Sequence, residues 1–391
     1  MNSTHFAILY ALAAPQLVAG VDLATAQHHQ TRVIVASVAN EPRHYLAFPD
    51  LVDLGDEVLV SFKRGQAHGG DPGAEIDTVR IDKLTDAVTP GPVTARLDGM
   101  IMQMGEWVRF PNGDIGSYID AQEKQTETTR IGMRYTRSSD GGKTYGPLAR
   151  VGLIDGVEYG YPFEFVVEGT TTWMLAMSFS NLAGGYSVHA PRPKAGQVAI
   201  LRSEDSGRNW KFVRNLSREF GDLPINESSF VRYADGFLVA TRGYDNRARL
   251  HFTTNDFKLR RQVDLTGTHD YITGYVGRPR LFMRDGRYYL MGRNWTEHVT
   301  LVSSATPSGG GPTFPAAMKL CLFRLDPVAL TVEKAVILDN AERANVTDGY
   351  YPVPYFLERS GRTLFRIVDY KGVDRLPPQI MEFEFLWEEV R

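Results

Sequence analysis

Apolar residues recur along this chain in runs of strand length, alternating with polar positions or briefly continuous, and the runs come in pairs. The segment FPDLVDLGDEVLVSFKRG, Phe48 to Gly65, shows the unit: a Pro or small residue near the start, an apolar run, a turn with Asp or Gly, and a second apolar run. The unit recurs at Met104–Gln122, Gly160–Ser180, Asn226–Asp245, Gly277–Trp295 and Tyr350–Tyr370. Period-two alternation bounded by turn residues predicts strands, and two such runs about one short turn predict a hairpin. The pairs Asn112-Gly113, Asp235-Gly236 and Asp285-Gly286 stand where tight hairpin turns need positive φ. A lone hairpin cannot bury both of its faces. Units about 50 to 75 residues apart leave room for a second hairpin each, and six four-stranded units around an axis make a β-propeller. No amphipathic helix is predicted.

The linkers carry a second repeat. Ser138-Ser139-Asp140-Gly141-Gly142-Lys143-Thr144-Tyr145 reads S-x-D-x-G-x-T-aromatic, and Ser203 to Trp210 repeats it with Asn209 for the Thr. Thr254-Asn255-Asp256 begins a third copy that degenerates. In such a motif the Asp caps backbone amides, the Gly accepts a left-handed angle and the aromatic plugs the blade, which makes it a structural turn. These turns resemble Asp boxes (BNR repeats). With the six ordered hairpins they make the chain, from about Arg43 to its C-terminus, similar to the sialidase (neuraminidase) superfamily. The resemblance implies an all-β, six-bladed, sialidase-like propeller with a pocket on its axis. It specifies scaffold more sharply than substrate, because one scaffold hosts several sugar chemistries.

Composition then narrows the picture. A length of 391 residues would suit two or three domains, but the repeats predict one propeller over 27–391. Residues 1–26 read as a signal peptide or a disordered tail. Phe6 to Val21 is apolar and Ala24-Thr25-Ala26 has a small-x-small form, while Pro15 interrupts the run and no Lys or Arg precedes it. A cleaved signal implies a secreted or periplasmic protein, and its absence a cytoplasmic one. The run is too short and broken for a transmembrane helix. With 43 basic against 46 acidic side chains, nothing favours nucleic acid as a partner. The sole cysteine, Cys321, excludes an intramolecular disulfide and reads as a packing residue in the apolar run Lys319 to Leu325.

In a propeller the ends of the innermost strands line the pocket, so polar residues that open or close the repeated hairpins are candidates. Arg64-Gly65-Gln66-Ala67-His68-Gly69-Gly70-Asp71 follows the first hairpin as a glycine-rich loop able to bend over the pocket. The fourth hairpin opens on Glu227 and ends at Arg242. The fifth carries Arg278, Arg280 and Arg293, and the sixth opens on Asp348-Gly349-Tyr350-Tyr351-Pro352. The superfamily resemblance implies roles for these residues. Asp71 is the general acid/base, with His68 as the alternative. Tyr351 is the nucleophile, with Tyr350 the fallback, and Glu227 is the base that activates it. Arg242 and Arg293 grip a substrate carboxylate, with Arg278 as the alternative to Arg293. A guanidinium suits that task through paired, charge-assisted hydrogen bonds. A tyrosine with an ordinary pKa near 10 needs such a base, and sialidases are the exception to two-carboxylate glycoside hydrolysis. Each assignment has a plain structural competitor: an Asp71-Pro72 turn, a Glu227–Arg242 ion pair, strand-end charges, tyrosines packed between blades. Trp107 and Tyr161 either stack on a sugar face or belong to the core.

The sequence departs from the superfamily at one place. The first clamp arginine belongs in an Arg-x-Pro opening blade one, where this chain has Ala47-Phe48-Pro49. Arg43 and Arg64 are the possible substitutes, although a rise of about 3.3 Å per residue displaces Arg43 by over roughly 10 Å. A clamp of two arginines suits another acidic or a neutral sugar as well as sialic acid. No metal-ligand spacing and no phosphate loop is present, so no cofactor is expected. The expectation is a glycoside hydrolase that cleaves a terminal, acidic sugar from a carbohydrate substrate. The alternatives are a polysaccharide lyase acting on uronates, with Tyr351 or His68 removing a proton, and a non-catalytic sugar-binding propeller.

Overall fold

A computed structural model of the chain describes residues 23–178, 186–187, 196–266, 268–269, 271–295 and 318–391. The strands gather into six small sheets of consecutive antiparallel neighbours, and the chain is a six-bladed β-propeller. Every sheet contains one of the predicted hairpins, which supplies its innermost strands. Those innermost strands are Tyr45–Asp53, Met100–Arg109, Val157–Glu168, Ile225–Tyr233, Gly277–Arg284 and, after the short Val346–Gly349, Val353–Arg359.

Burial between neighbouring blades supplies the driving force for the ring. Between blades three and four, Trp173 meets Phe237 edge-on at 5.7 Å and Phe257 edge-on at 5.4 Å. Among the described residues, helix is confined to Leu216–Glu219 and Trp387–Val390, and no helix is long and apolar enough to cross a membrane.

The turns follow their residues, with one correction. Asp285 and Gly286 both take positive φ, 51° and 70°, as a two-residue hairpin turn requires. In the fourth hairpin, however, Tyr233 pairs with Gly236, so the turn is Ala234–Asp235 and the positive φ of 50° falls on Ala234. Gly236 lies inside the strand, where a Cβ would run into the backbone of Thr253. The two aspartate turns form alike, at the ends of third strands. Asp140 Oδ1 accepts the amides of Lys143 and Thr144 at 3.0 Å, and Ser138 Oγ accepts that of Gly142 at 2.8 Å. Asp205 accepts from Asn209 N at 2.9 Å, and Ser203 Oγ from Gly207 N at 2.9 Å. Their aromatics pack into blades, Tyr145 against Trp107 and Trp210 against Tyr118.

Closure of the ring uses the early part of the chain. Gln30–Val35 is the outermost strand of blade six, antiparallel to Gln379–Leu386, with Gln30 opposite Glu384. Leu23–Thr25 adds to blade five, parallel to Thr331–Asp339. The apolar run from Phe6 to Val21, on which the signal-peptide reading rests, lies outside the described residues.

Candidate active site

One backbone feature prepares the axis. In five blades the first hairpin slips register near its pocket end: between Ala47 and Asp50, Met102 and Met104, Tyr159 and Tyr161, Ile225 and Ser228, and Gly277 and Arg280. In blade six the inner strand is interrupted between Gly349 and Val353. A bulge adds a residue to one strand and re-aims the side chains around it. Pro49, Pro279 and Pro352 sit in these irregular stretches, where no ladder donor is needed. Phe48, Arg278 and Tyr350 take φ of 54°, 45° and 63° there, which breaks the in-out alternation. Glu227 lies in the bulge of blade four and Tyr351 in the break of blade six, and the two side chains meet.

Tyr351 Oη donates to Glu227 Oε1 at 2.5 Å, and Tyr161 Oη, from blade three, donates to the same oxygen at 2.9 Å. Glu227 Oε2 accepts from Arg242 at 2.5 Å and from the Arg278 backbone amide at 3.0 Å. Burial alone would raise the Glu227 pKa. Arg242, the Tyr351 hydroxyl and Arg293 outweigh it and hold the carboxyl at about 2. Burial, and then the Glu227 charge, push the Tyr351 hydroxyl above its ordinary value. The resting state is therefore a neutral phenol held against an ionised carboxylate.

Two arginines flank this pair. The Arg242 guanidinium lies 4.1 Å over the ring of Tyr275. Arg293 lies 5.6 Å over the Tyr351 ring, and its Nη1 donates to the Gly349 carbonyl at 3.0 Å. A Cβ on Gly277 would stand 2.8 Å from Arg293 Nε, so only glycine leaves the guanidinium its place. Burial raises the Tyr275 hydroxyl, but Arg242 and Arg293 outweigh it and leave the pKa below its usual value.

Other predicted residues lie elsewhere. Asp71 is turned inward: its Oδ1 takes Lys63 Nζ at 2.7 Å, and its Oδ2 accepts the amides of Gln66 and Ala67 at 3.0 and 3.3 Å. Its carboxylate closes its own loop, a role it takes in place of the expected reach toward the axis. His68, from the same loop, is the exposed member. Arg64 pairs with Asp77 at 2.8 Å and Arg43 with Glu75 at 2.6 Å, so neither replaces the absent clamp arginine. Ala47 is fully buried opposite Lys63, and Phe48 packs edge-on against Tyr351 at 5.1 Å. Tyr350 is fully buried and donates to Asp339, away from Glu227, which removes it as a fallback nucleophile. Trp107 is core, packed edge-on against Tyr145.

Arg278 is not a clamp residue either. Its guanidinium pairs with Glu106 in a buried cluster on the axis, where Arg280 reaches Asp50 at 3.0 Å, Glu164 at 3.1 Å and Glu106 at 3.3 Å. Burial raises the pKa of both Asp50 and Glu164, against the pull of Arg280.

Sequence reasoning missed Tyr275, Asp348 as a working group, and the contacts of Lys63. Tyr275 precedes the fifth hairpin and belongs to no repeat. Lys63 did leave a signal, a lysine directly after the apolar run Val58 to Phe62. Among the described residues no group of three His, Cys, Asp or Glu could hold a metal ion.

No protein-family model and no curated protein matches the chain. Solved structures do match over almost its whole length. A protein of unknown function from Dyadobacter fermentans superposes with a TM-score of 0.64 at 14% identity, covering 92% of this chain and 99% of that one. NanB with Optactamide gives 0.60 at 9% identity, covering 92% and 71%. The Penicillium chrysogenum alpha-L-arabinanase complexed with arabinobiose gives 0.59 at 9% identity, covering 93% and 100%. At such identities the likeness is one of fold, the six-bladed propeller that this chain shares with enzymes acting on glycosides.

Proposed function

We propose that the chain is a glycoside hydrolase that removes a terminal acidic sugar through a covalent bond to tyrosine. The contact between Tyr351 Oη and Glu227 Oε1 at 2.5 Å, with Arg242 on the other carboxylate oxygen, carries this reading. Arg242 and Arg293 hold Glu227 toward its ionised form against burial, and its Oε1 can take the phenolic proton as Oη attacks the anomeric carbon. A neutral nucleophile approaches a carboxylate-bearing sugar without charge repulsion. Beside the pair stand two guanidiniums, Arg242 on Glu227 and Arg293 over the Tyr351 ring, which suit a substrate carboxylate. With Ala47 in blade one the clamp has two arginines, which widens the choice of acidic sugar. Glycosidase neighbours of the same fold support a sugar substrate at the level of the scaffold.

The test is a panel of aryl glycosides of sialic acid, uronic acids and neutral pentoses, given to wild type and Tyr351→Phe. Turnover of an acidic glycoside is expected, with kcat in the variant lower by about 10³-fold or more and KM little changed. A product with new ultraviolet absorbance would identify elimination and overturn hydrolysis. Sugar binding retained in both proteins without turnover would leave a binding propeller.

A further inference from the structure

We infer that His68 and Asp348 are the acid/base pair of this pocket, with His68 Nε2 exchanging the proton with the leaving oxygen and Asp348 positioning the imidazole. The inference rests on the hydrolase reading above and takes up the role that Asp71, bound to Lys63, does not fill.

Geometry separates the two candidates on the loop. The side chain of His68 is 58% exposed, whereas that of Asp71 is 3% exposed and saturated by Lys63 and two backbone amides. An acid/base must reach the reacting oxygen, and only His68 can. Its Nδ1 lies 2.8 Å from Asp348 Oδ2, which leaves Nε2 as the ring nitrogen for a substrate. Asp348 is held in turn by Tyr45 Oη on Oδ2 and by Tyr370 Oη on Oδ1 at 2.8 Å. The imidazole packs edge-on against Phe48 at 5.0 Å, and Phe48 packs against Tyr351 at 5.1 Å, so one ring separates the imidazole from the nucleophile.

The charges facing the pair make it titrate as a unit. Burial pushes Asp348 up to about 6, against the hydrogen bond from Tyr370. The pocket walls around the ring, then Lys63 and Arg293, lower His68 below its usual value, with Arg242 acting in the same sense and Glu227 opposing, while its side chain stays open to solvent. Joined through Nδ1 and Oδ2, the two groups titrate as a coupled pair.

Two balanced steps follow. Tyr351 Oη forms a bond to the anomeric carbon and gives its proton to Glu227, while the bond to the leaving oxygen breaks with its electron pair and that oxygen takes the proton from His68 Nε2. Water then attacks the anomeric carbon and gives a proton to Nε2. The bond to Tyr351 breaks, and Oη recovers its proton from Glu227.

The experiment compares wild type, His68→Ala and Asp348→Asn on a nitrophenyl glycoside and the methyl glycoside of the same sugar. His68→Ala is expected to lose at least about 10²-fold on the methyl glycoside. On the nitrophenyl glycoside it should show a fast burst and slow turnover, restored by azide, which attacks without needing a base. Asp348→Asn should shift the pH profile of kcat with KM held. Equal loss on both glycosides, or no loss, overturns the pair. If wild type cleaves no glycoside the hydrolase reading fails, and the pair is judged by nitrogen NMR of labelled histidine. A hydrogen-bonded Nδ1–H signal present in wild type and abolished in Asp348→Asn supports it; a signal unchanged by that substitution overturns it.

Discussion

The propeller axis holds two buried charge clusters built from the same inner strands, and they solve opposite problems. In the cluster of Asp50, Glu106, Glu164, Arg278 and Arg280, three carboxylates and two guanidiniums partner one another. At the pocket, Arg242 pairs with Glu227, which two tyrosines also hold, and Arg293 lies over the Tyr351 ring. Arg278 joins the two: its backbone amide serves Glu227 while its guanidinium serves Glu106. The difference in pKa direction makes the same point, with burial dominating at Asp50 and Glu164 and the arginines dominating at Glu227. Charges closed on themselves hold a ring together; charges left in excess meet a ligand.

The largest effect should come from breaking the closed cluster. Arg280→Met strands two buried carboxylates, Asp50 and Glu164, while Glu106 keeps Arg278, and is expected to cost about 3–5 kcal/mol of stability in denaturant unfolding. An unchanged midpoint would mean that the cluster is relieved by water. Arg293→Met should instead unfold within about 1 kcal/mol of wild type. Its deficit should appear as a loss of roughly 10- to 100-fold in kcat/KM toward an acidic glycoside, measured against a neutral one that loses less. A smaller effect, with its own sign, separates the clusters by pH. Glu227 has a folded pKa below its unfolded one, so its stabilisation is present above pH about 4.5 and fades as the pH falls toward about 2. The stability gap between wild type and Glu227→Gln should narrow over that window in urea titrations, and a gap independent of pH would contradict the depressed value. Asp50 and Glu164, raised by burial, act the other way, stabilising less as pH rises through their folded values.

The six hairpins were legible because each carries its own alternation and turn, and Glu227, Arg242, Arg293 and Tyr351 because they stand at the ends of those repeats. What escaped was set by contacts between blades. The direction of Asp71 depends on Lys63 across one hairpin, and that of Tyr350 on Asp339, neither of which a local pattern encodes. The bulges matter most here. In blade six the inner strand breaks between Gly349 and Val353, and Tyr350, at φ 63°, enters the inter-blade core while Tyr351 enters the pocket.

The pairing of Gln30–Val35 with Gln379–Leu386 has a consequence for biosynthesis. Arg32 bonds Glu382 across 350 positions of chain, so the latch strand is made early and waits for the last blade. Until Gln379–Leu386 has been made, Gln30–Val35 has no strand to pair with and its edges stay open to other chains. Closure of this ring therefore waits for the synthesis of Gln379–Leu386, and its vulnerable interval grows with the length of chain in between.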